Sequence, residues 1–153
     1  MRYTKLMLVL LGFAATLCAA DPSVGTWNMD PNKTVFKNGT SPFRQTVTIT
    51  ETGSDLNVKV AGTAVNGTKI AVSYTIPVAG GPGKIVQSSE YDGISAKRIG
   101  PNELDISYMK GGKAIYTAHT MVSTDGNTLT VATQGVNPLG DTVEGTVVYN
   151  KQK

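Results

Sequence analysis

The sequence predicts an all-β protein, a single up-and-down antiparallel meander closed into a barrel of about 8–10 strands. Two observations support this prediction: β-branched or aromatic residues alternate with polar ones, and turn sequences interrupt the alternation at regular intervals. Because only one face of each strand is apolar, that face is expected to line an interior. Closure into a barrel removes the exposed edges that an open meander would keep.

Residues 1–20 have the layout of a secretory signal peptide. Arg2 and Lys5 precede an apolar run over residues 6–17, and small residues lead up to Ala20. The run is shorter than the ~20 residues needed to span a bilayer, so no stable membrane span is expected. We therefore expect cleavage after Ala20 and a secreted or periplasmic protein.

The remaining residues, 21–153, are expected to form one lipocalin-like barrel domain, as a monomer or weak dimer. Cys18 is the only cysteine and lies inside the signal, so neither disulfides nor thiolate metal sites are expected in the mature chain. Without Arg2 and Lys5, 12 basic residues face 11 acidic ones. This near balance, with no basic cluster, argues against nucleic acid as a partner.

The strands are predicted in order from the alternation of apolar and polar residues. The first of them contains the only tryptophan, Trp27. Clean alternation begins at residue 46, after a loop over residues 30–44 that is rich in Pro, Gly and Asn. The predicted strands are 24–29, 46–51, 56–60, 70–76, 94–99, 104–108, 113–123, 128–134 and 143–149, with short extended segments at 34–37 and 84–86.

Turn sequences join these strands. Asn66-Gly67 is typical of a two-residue type I′ turn, in which both residues adopt positive φ. Residues 79–83, with the sequence Ala-Gly-Gly-Pro-Gly, are predicted to break the sheet. Loops 30–44 and 79–93 are thus the longest irregular segments that the pattern indicates.

Four motifs occur in order along residues 21–153: Gly25-Thr26-Trp27, the run 45–49, Lys97-Arg98-Ile99 and the run 125–131. This set resembles small exported bacterial lipocalin-like domains of unassigned function. The Gly-x-Trp opening also resembles lipocalins and fatty-acid-binding proteins, the calycin barrels. The resemblance implies a barrel, with Trp27 as a structural residue at one end. The helical lid of fatty-acid-binding proteins and the paired lipocalin cysteines have no counterpart here.

The sequence shows no catalytic constellation, and an enzyme is not expected. His119 is the only histidine, and no Gly-x-Ser-x-Gly motif is present. One histidine with scattered carboxylates does not form a metal-site pattern, so neither a metal nor a cofactor is expected. Alternation places His119 with Met121 or, if a bulge intervenes, on the opposite face. It is either a structural residue or a ligand contact.

Arg98 continues the inward face of Ile94 and Ala96. A buried guanidinium needs a carboxylate or several acceptors. It either covers one end of the barrel and stacks on Trp27, or it anchors a ligand carboxylate. The resemblance to fatty-acid-binding proteins implies the second role.

Tyr74, Tyr108 and Tyr149 also fall on apolar faces, where they either fill the core or supply the few polar groups of a pocket. The expected ligand-binding residues are therefore Arg98, Tyr74, Tyr108, His119 and Tyr149.

The favoured function is that of an exported protein that binds a small apolar or amphipathic ligand inside the barrel. The inward residues are mostly small, which leaves room for a ligand. One alternative is an interaction or structural module with a solid barrel that uses loops 30–44 and 79–93. A small isomerase or cyclase is a third, less favoured possibility.

Overall fold

The computed structural model describes residues 19–38, 41–137 and 139–153. Residues 1–18 of the predicted export signal therefore lie outside the described residues. The described part of the chain forms strands and turns without a helix. It accordingly contains no helix that is long and apolar enough to cross a membrane.

Twelve strands follow one another along the chain, and every pairing between them is antiparallel. They are β1 (Gly25–Met29), β2 (Val35–Asn38), β3 (Pro42–Thr52), β4 (Asp55–Ala64), β5 (Lys69–Pro77), β6 (Gly80–Pro82), β7 (Lys84–Gln87), β8 (Gly93–Gly100), β9 (Glu103–Lys110), β10 (Lys113–Val122), β11 (Thr128–Val136) and β12 (Thr142–Lys151). The prediction of an all-β, up-and-down antiparallel barrel is confirmed. The strand count is higher than predicted because the short segments β2 and β6 also join the sheet.

The first and last long strands lie side by side, which brings the two ends of the meander together. The strand order is β6-β8-β9-β10-β11-β12-β1-β3-β4-β5-β7, and β2 pairs with β12. In the β1–β12 ladder, Trp27 lies opposite Lys151 and Met29 opposite Tyr149. β2 extends this seam along β12, where Phe36 lies opposite Gly145. A Cβ on Gly145 would come within 2.7 Å of the Phe36 ring, so this close approach requires glycine.

The second seam is closed by one extended segment that changes partner halfway. Its first half, β6, pairs with β8, and its second half, β7, pairs with β5. Gly83 lies at the change-over, where its N–H donates to the Ile94 carbonyl at 2.9 Å. A Cβ on Gly83 would lie 2.4 Å from the Thr75 carbonyl oxygen, so only glycine fits between the two edges. The prediction that residues 79–83 break the sheet is therefore wrong, and these residues help to close it.

The Asn66-Gly67 turn also differs from its prediction. Gly67 has a φ of +83°, but no described residue other than glycine has a positive φ, which excludes a type I′ turn. Instead the Gly67 N–H donates to the Ala64 carbonyl at 2.9 Å, and the Ala64 N–H donates to the Thr68 carbonyl at 2.8 Å. This is the pattern of a longer hairpin loop whose last residue is a left-handed glycine.

The apolar faces of the strands point into the barrel and form one core. Residues 21–24 lie across one end, which we call the closed end; the turn 64–69 and residues 88–91 lie at the opposite end, the mouth. The buried core residues are Trp27, Val47, Ile49, Leu56, Val58, Tyr74, Ile76, Ile94, Ala96, Leu104, Ile106, Ala118, Val122, Leu129, Val147 and Tyr149.

Trp27 is fully buried at the closed end, where its indole Nε1–H donates to the Ser23 carbonyl at 2.8 Å. Trp27→Ala should therefore lower the free energy of unfolding by about 3–5 kcal/mol, because it leaves a large void and an unpaired carbonyl. Urea denaturation measures this loss. Phe43→Ala, at an exposed aromatic on β3, is the matched control and should change the free energy by less than about 1 kcal/mol. A loss below about 1 kcal/mol for Trp27→Ala would contradict its place in the core.

Candidate functional site

A cavity of about 950 Å³ runs inside the barrel from the closed end to the mouth. Ligand sites in proteins usually have volumes of about 300–1,000 Å³ and are mainly apolar with a few polar groups. This cavity has that composition among the described residues, with valines, leucines and isoleucines along its wall and tyrosines between them. Its size and lining are suited to a small, largely apolar molecule.

The space exists because many of the inward positions hold small side chains. Val60, Val72 and Val131 line the cavity and are only partly buried, although they belong to the inward faces of their strands. Val60 and Val72 are directly opposite each other on β4 and β5. Larger residues at these positions would meet in the middle of a barrel of this kind. The composition of the lining therefore accounts for the cavity.

Three tyrosine rings form an aromatic cluster on the cavity wall. Tyr74 on β5 and Tyr108 on β9 pack edge to face, with ring centroids 6.0 Å apart. Their hydroxyl oxygens are 3.3 Å apart and share a hydrogen bond. The Tyr91 ring packs on Tyr108 with a centroid distance of 4.7 Å. The strands bring Tyr74 and Tyr108 together as the predicted pocket residues, whereas Tyr91 comes from the segment that the sequence indicated only as a loop.

Burial raises the pKa of each tyrosine that lines the cavity. For Tyr74 the pKa lies well above its ordinary value, first because of desolvation and then because Tyr108 is close. Desolvation also raises the pKa of Tyr108, and the hydrogen bond with Tyr74 partly opposes this. Tyr116 is less buried, and desolvation raises its pKa to about 12. These hydroxyls are therefore neutral at physiological pH and act as hydrogen-bond donors and acceptors.

Tyr149 occupies a different part of the same cavity. Its hydroxyl donates to the side-chain carbonyl of Gln45 on β3. Burial raises the Tyr149 pKa above its ordinary value. Gln45 was not among the residues expected from the sequence, although its position two residues before Val47 places it on the same inward face.

Arg98 points inward at the closed end, but its guanidinium is bound by the protein itself. Nη2 donates to Asp21 Oδ2 at 2.5 Å and to the Val78 carbonyl at 2.7 Å, and Nε donates to the same carbonyl at 3.0 Å. Nη1 is 3.4 Å from the Pro101 carbonyl. The Arg98 and Asp21 side chains are only 20% and 4% exposed. Arg98 thus forms part of the floor of the cavity as one half of a shielded ion pair.

Asp21 is the centre of the network that closes this end of the barrel. Its Oδ1 accepts hydrogen bonds from the Ser23 N–H at 2.9 Å and from the Ser23 hydroxyl at 2.5 Å. Its backbone N–H donates to Glu51 Oε2 at 2.8 Å. Ser23 in turn accepts the Trp27 indole N–H through its carbonyl. The pattern of alternation gave no sign of Asp21, because it precedes the first strand.

The cation above Trp27 is not the one expected. Lys151 Nζ lies 5.0 Å from the centre of the indole ring, which is within the range of a cation–π contact. The expected stacking of Arg98 on Trp27 is replaced by the pair with Asp21. Trp27 and Arg98 are still linked, through the hydrogen bonds of Ser23 and Asp21.

His119 lies on the outside of the barrel, away from the other four expected ligand-binding residues. On β10 the neighbouring residues Ala118 and Thr120 point inward, so His119 and Met121 share the outer face. His119 Nδ1 is 2.7 Å from Asp105 Oδ1, and the His119 side chain is 48% exposed. The two residues border a groove of about 610 Å³ on the outer surface. The register of β10 therefore separates His119 from the cavity.

The arrangement of the cavity is suited to binding. The described residues that line it include no histidine, and no group of three potential metal ligands occurs within the described part of the chain. What the wall offers a ligand is mainly apolar surface and three ring faces, with tyrosine hydroxyls and other polar side chains such as Gln45, Thr120 and Thr133 between them. None of these groups is arranged as a nucleophile beside a base.

Because Arg98 balances the buried Asp21, Arg98→Met should lower the free energy of unfolding by about 2–4 kcal/mol. The variant leaves a carboxylate in the barrel end without its cation. Lys37→Met is the matched control, since Lys37 pairs with Glu144 on the surface and such pairs contribute about 0–1 kcal/mol. Chemical denaturation of both variants measures the difference. Equal stability of Arg98→Met and the wild type would contradict a structural role for Arg98.

No protein-family model matches the chain, and no curated protein matches it either. Among solved structures it is similar to the zebrafish ileal bile acid-binding protein complexed with cholic acid, with 14% identity and a TM-score of 0.52 over 86% of this chain and 99% of that one. It is also similar to EF1p2_mFAP2b bound to DFHBI, with 14% identity and a TM-score of 0.51 over 88% of this chain and 97% of that one. At these identities the likeness shows the fold alone, an antiparallel β-barrel.

Proposed function

We propose that this protein is a secreted or periplasmic binding protein that holds a small apolar or amphipathic molecule inside its barrel and acts without catalysis. The observation that carries this proposal is the cavity of about 950 Å³, which has an apolar wall and a small number of tyrosine hydroxyls. In a barrel that serves only as a scaffold, side chains that fill such a space would increase stability, because atoms that line a void lack van der Waals contacts. An open interior therefore favours a binding role.

The ligands in the similar structures support the same proposal. The zebrafish protein was solved with cholic acid, and EF1p2_mFAP2b was solved with DFHBI. Both ligands are small molecules, and both proteins have the barrel fold of this chain. Together with the open interior, this favours small-molecule binding over a solid interaction module that uses loops 30–44 and 79–93. An isomerase or cyclase is less well supported, since the one histidine lies outside the barrel.

The contacts of Asp21 support processing before this residue. Ala19 and Ala20 are exposed, whereas Asp21 is buried and bonded to Glu51, Ser23 and Arg98. Cleavage after Ala20 would leave these bonds in place. The new α-ammonium group would then donate to the Glu51 carboxylate, a charge-assisted form of the hydrogen bond made by the Asp21 N–H.

Filling the cavity should abolish binding without unfolding the barrel. We expect N-phenylnaphthylamine to bind the wild type saturably, at one molecule per chain, with a Kd on the order of micromolar. In the double variant Val60→Trp/Val131→Trp the indole rings should occupy the space and weaken binding by at least about tenfold. Fluorescence titration measures the affinities, and circular dichroism confirms that the variants are folded.

Val86→Trp is the control, because Val86 is 67% exposed on β7 and the same change there should leave the affinity as it is in the wild type. Failure of the wild type to bind any apolar probe saturably would remove the proposed function. Equal binding by the wild type and the double variant would place the site outside the cavity.

Export is tested by N-terminal sequencing of the protein from an exporting host that synthesises residues 1–153. The expected first residue is Asp21, since residues 1–20 fit a cleaved signal. Leu10→Arg interrupts the apolar run and should leave the chain unprocessed inside the cell. Secreted protein that begins at Met1 or at Cys18 would contradict the proposal.

A further inference from the structure

Charged side chains lie at the two ends of the cavity, and among the described lining residues its middle carries none. Asp21 and Arg98 form their ion pair at the closed end. Lys69, Glu90 and Asp141 are exposed at the mouth. Three carboxylates and two cations thus give the lining a formal charge of −1. A ligand carboxylate in the middle would be desolvated without a counter-charge, which is strongly unfavourable.

The hydroxyls of Tyr74 and Tyr108 belong to the polar groups of the cavity wall, which also include Gln45, Thr120 and Thr133. Two hydroxyls carry two hydrogens, and the single bond between them uses one. No other described residue is hydrogen-bonded to either hydroxyl, so one donor hydrogen remains for a ligand. In contrast, the Tyr149 hydroxyl hydrogen is already given to Gln45. The free donor at the tyrosine pair matches an acceptor oxygen on a bound molecule.

The aromatic rings around this hydroxyl donor favour ligands of a particular shape. Tyr74, Tyr91 and Tyr108 form a continuous aromatic surface, with centroid distances of 6.0 and 4.7 Å between neighbours. Aromatic groups stack on such surfaces with offset or edge-to-face geometry. A flat ring therefore gains more contact here than a flexible alkyl chain.

We propose that the ligand is a neutral, ring-containing molecule with an acceptor oxygen such as an ester or ketone carbonyl, which the Tyr74–Tyr108 hydroxyl pair binds, and that carboxylates are rejected. This inference rests on the proposed function and specifies the chemical class of its ligand. It also reverses the expectation that Arg98 anchors an acidic head group, because the charge of the guanidinium is balanced by Asp21 and three of its N–H groups are bonded to Asp21 and the Val78 carbonyl. Burial raises the pKa values of Tyr74 and Tyr108, so the hydroxyl pair keeps its hydrogens throughout the neutral range.

The test uses three forms of one fluorophore: a dimethylaminonaphthalene methyl ester, the corresponding free carboxylate, and the parent dimethylaminonaphthalene. All are titrated into the protein at neutral pH, with N-phenylnaphthylamine as the reference apolar probe. The ester should bind the wild type at least ~30-fold more tightly than the carboxylate, because the carboxylate has to be desolvated without a cation. This comparison needs no variant and is independent of any folding defect.

Variants then locate the hydrogen bond. Tyr74→Phe and Tyr108→Phe should each weaken the ester by less than about threefold, since the remaining hydroxyl is released to the ligand. The double variant Tyr74→Phe/Tyr108→Phe should weaken it by about tenfold and leave the parent fluorophore unchanged. Thr117→Val is the control. It removes a hydroxyl from the exposed outer face of β10, away from the cavity, and the affinity for the ester should stay as in the wild type.

The outcomes separate the two proposals. If N-phenylnaphthylamine binds but the carboxylate binds as tightly as the ester, the neutral ligand class is overturned and the binding function stands. If the double variant binds the ester as the wild type does, the tyrosine pair is not the recognition group. If no probe binds saturably, both the proposed binding function and the proposed ligand class are overturned.

Discussion

Closure of the sheet is the constraint on which the rest of the structure depends. A meander of this length would otherwise end in two edges with unpaired N–H and C=O groups. The segment from β6 to β7 covers part of both edges, because it bonds to β8 before Gly83 and to β5 after it. The inward faces of the strands are then enclosed together. A cavity with a defined wall exists only because this seam is closed.

The ion pair of Asp21 and Arg98 decides the electrostatic character of that cavity. A lone arginine at the floor would attract acidic ligands, which was one of the two roles expected for it. The pair with Asp21 removes that charge from the space above it, and the Val78 carbonyl takes further hydrogens of the guanidinium. Recognition is thus left to groups that carry no charge. The same ion pair also holds residues 21–24 against the barrel. It therefore both neutralises the floor of the cavity and closes that end of the barrel.

The sequence predicted the barrel well because alternation records which face of a strand is buried. Tyr74 and Tyr108 were expected to share a pocket on this basis, and the structure brings them into contact. Alternation does not report pairing between distant segments. Arg98 and Asp21 are 77 residues apart, so the partner of Arg98 could not be read from the pattern. At Gly83 the pattern was misleading in another way. A glycine-rich run usually indicates a loop, but here glycine is needed because the two sheet edges leave no space for a side chain.

The packing of the barrel is uneven, and this explains how a chain without a cysteine after residue 18 can combine stability with a cavity. Its largest fully buried side chains are Trp27, Leu56, Ile76, Ile94 and Leu129. Leu56, Ile76 and Leu129 each lie within two residues of the closed-end terminus of their strand. Towards the mouth the inward positions include the partly buried Val60, Val72, Tyr108 and Tyr116, although Ile94 at the start of β8 is buried. Tight packing at one end supplies much of the burial that stabilises the fold. The other end can then keep open space for a ligand without loss of the barrel.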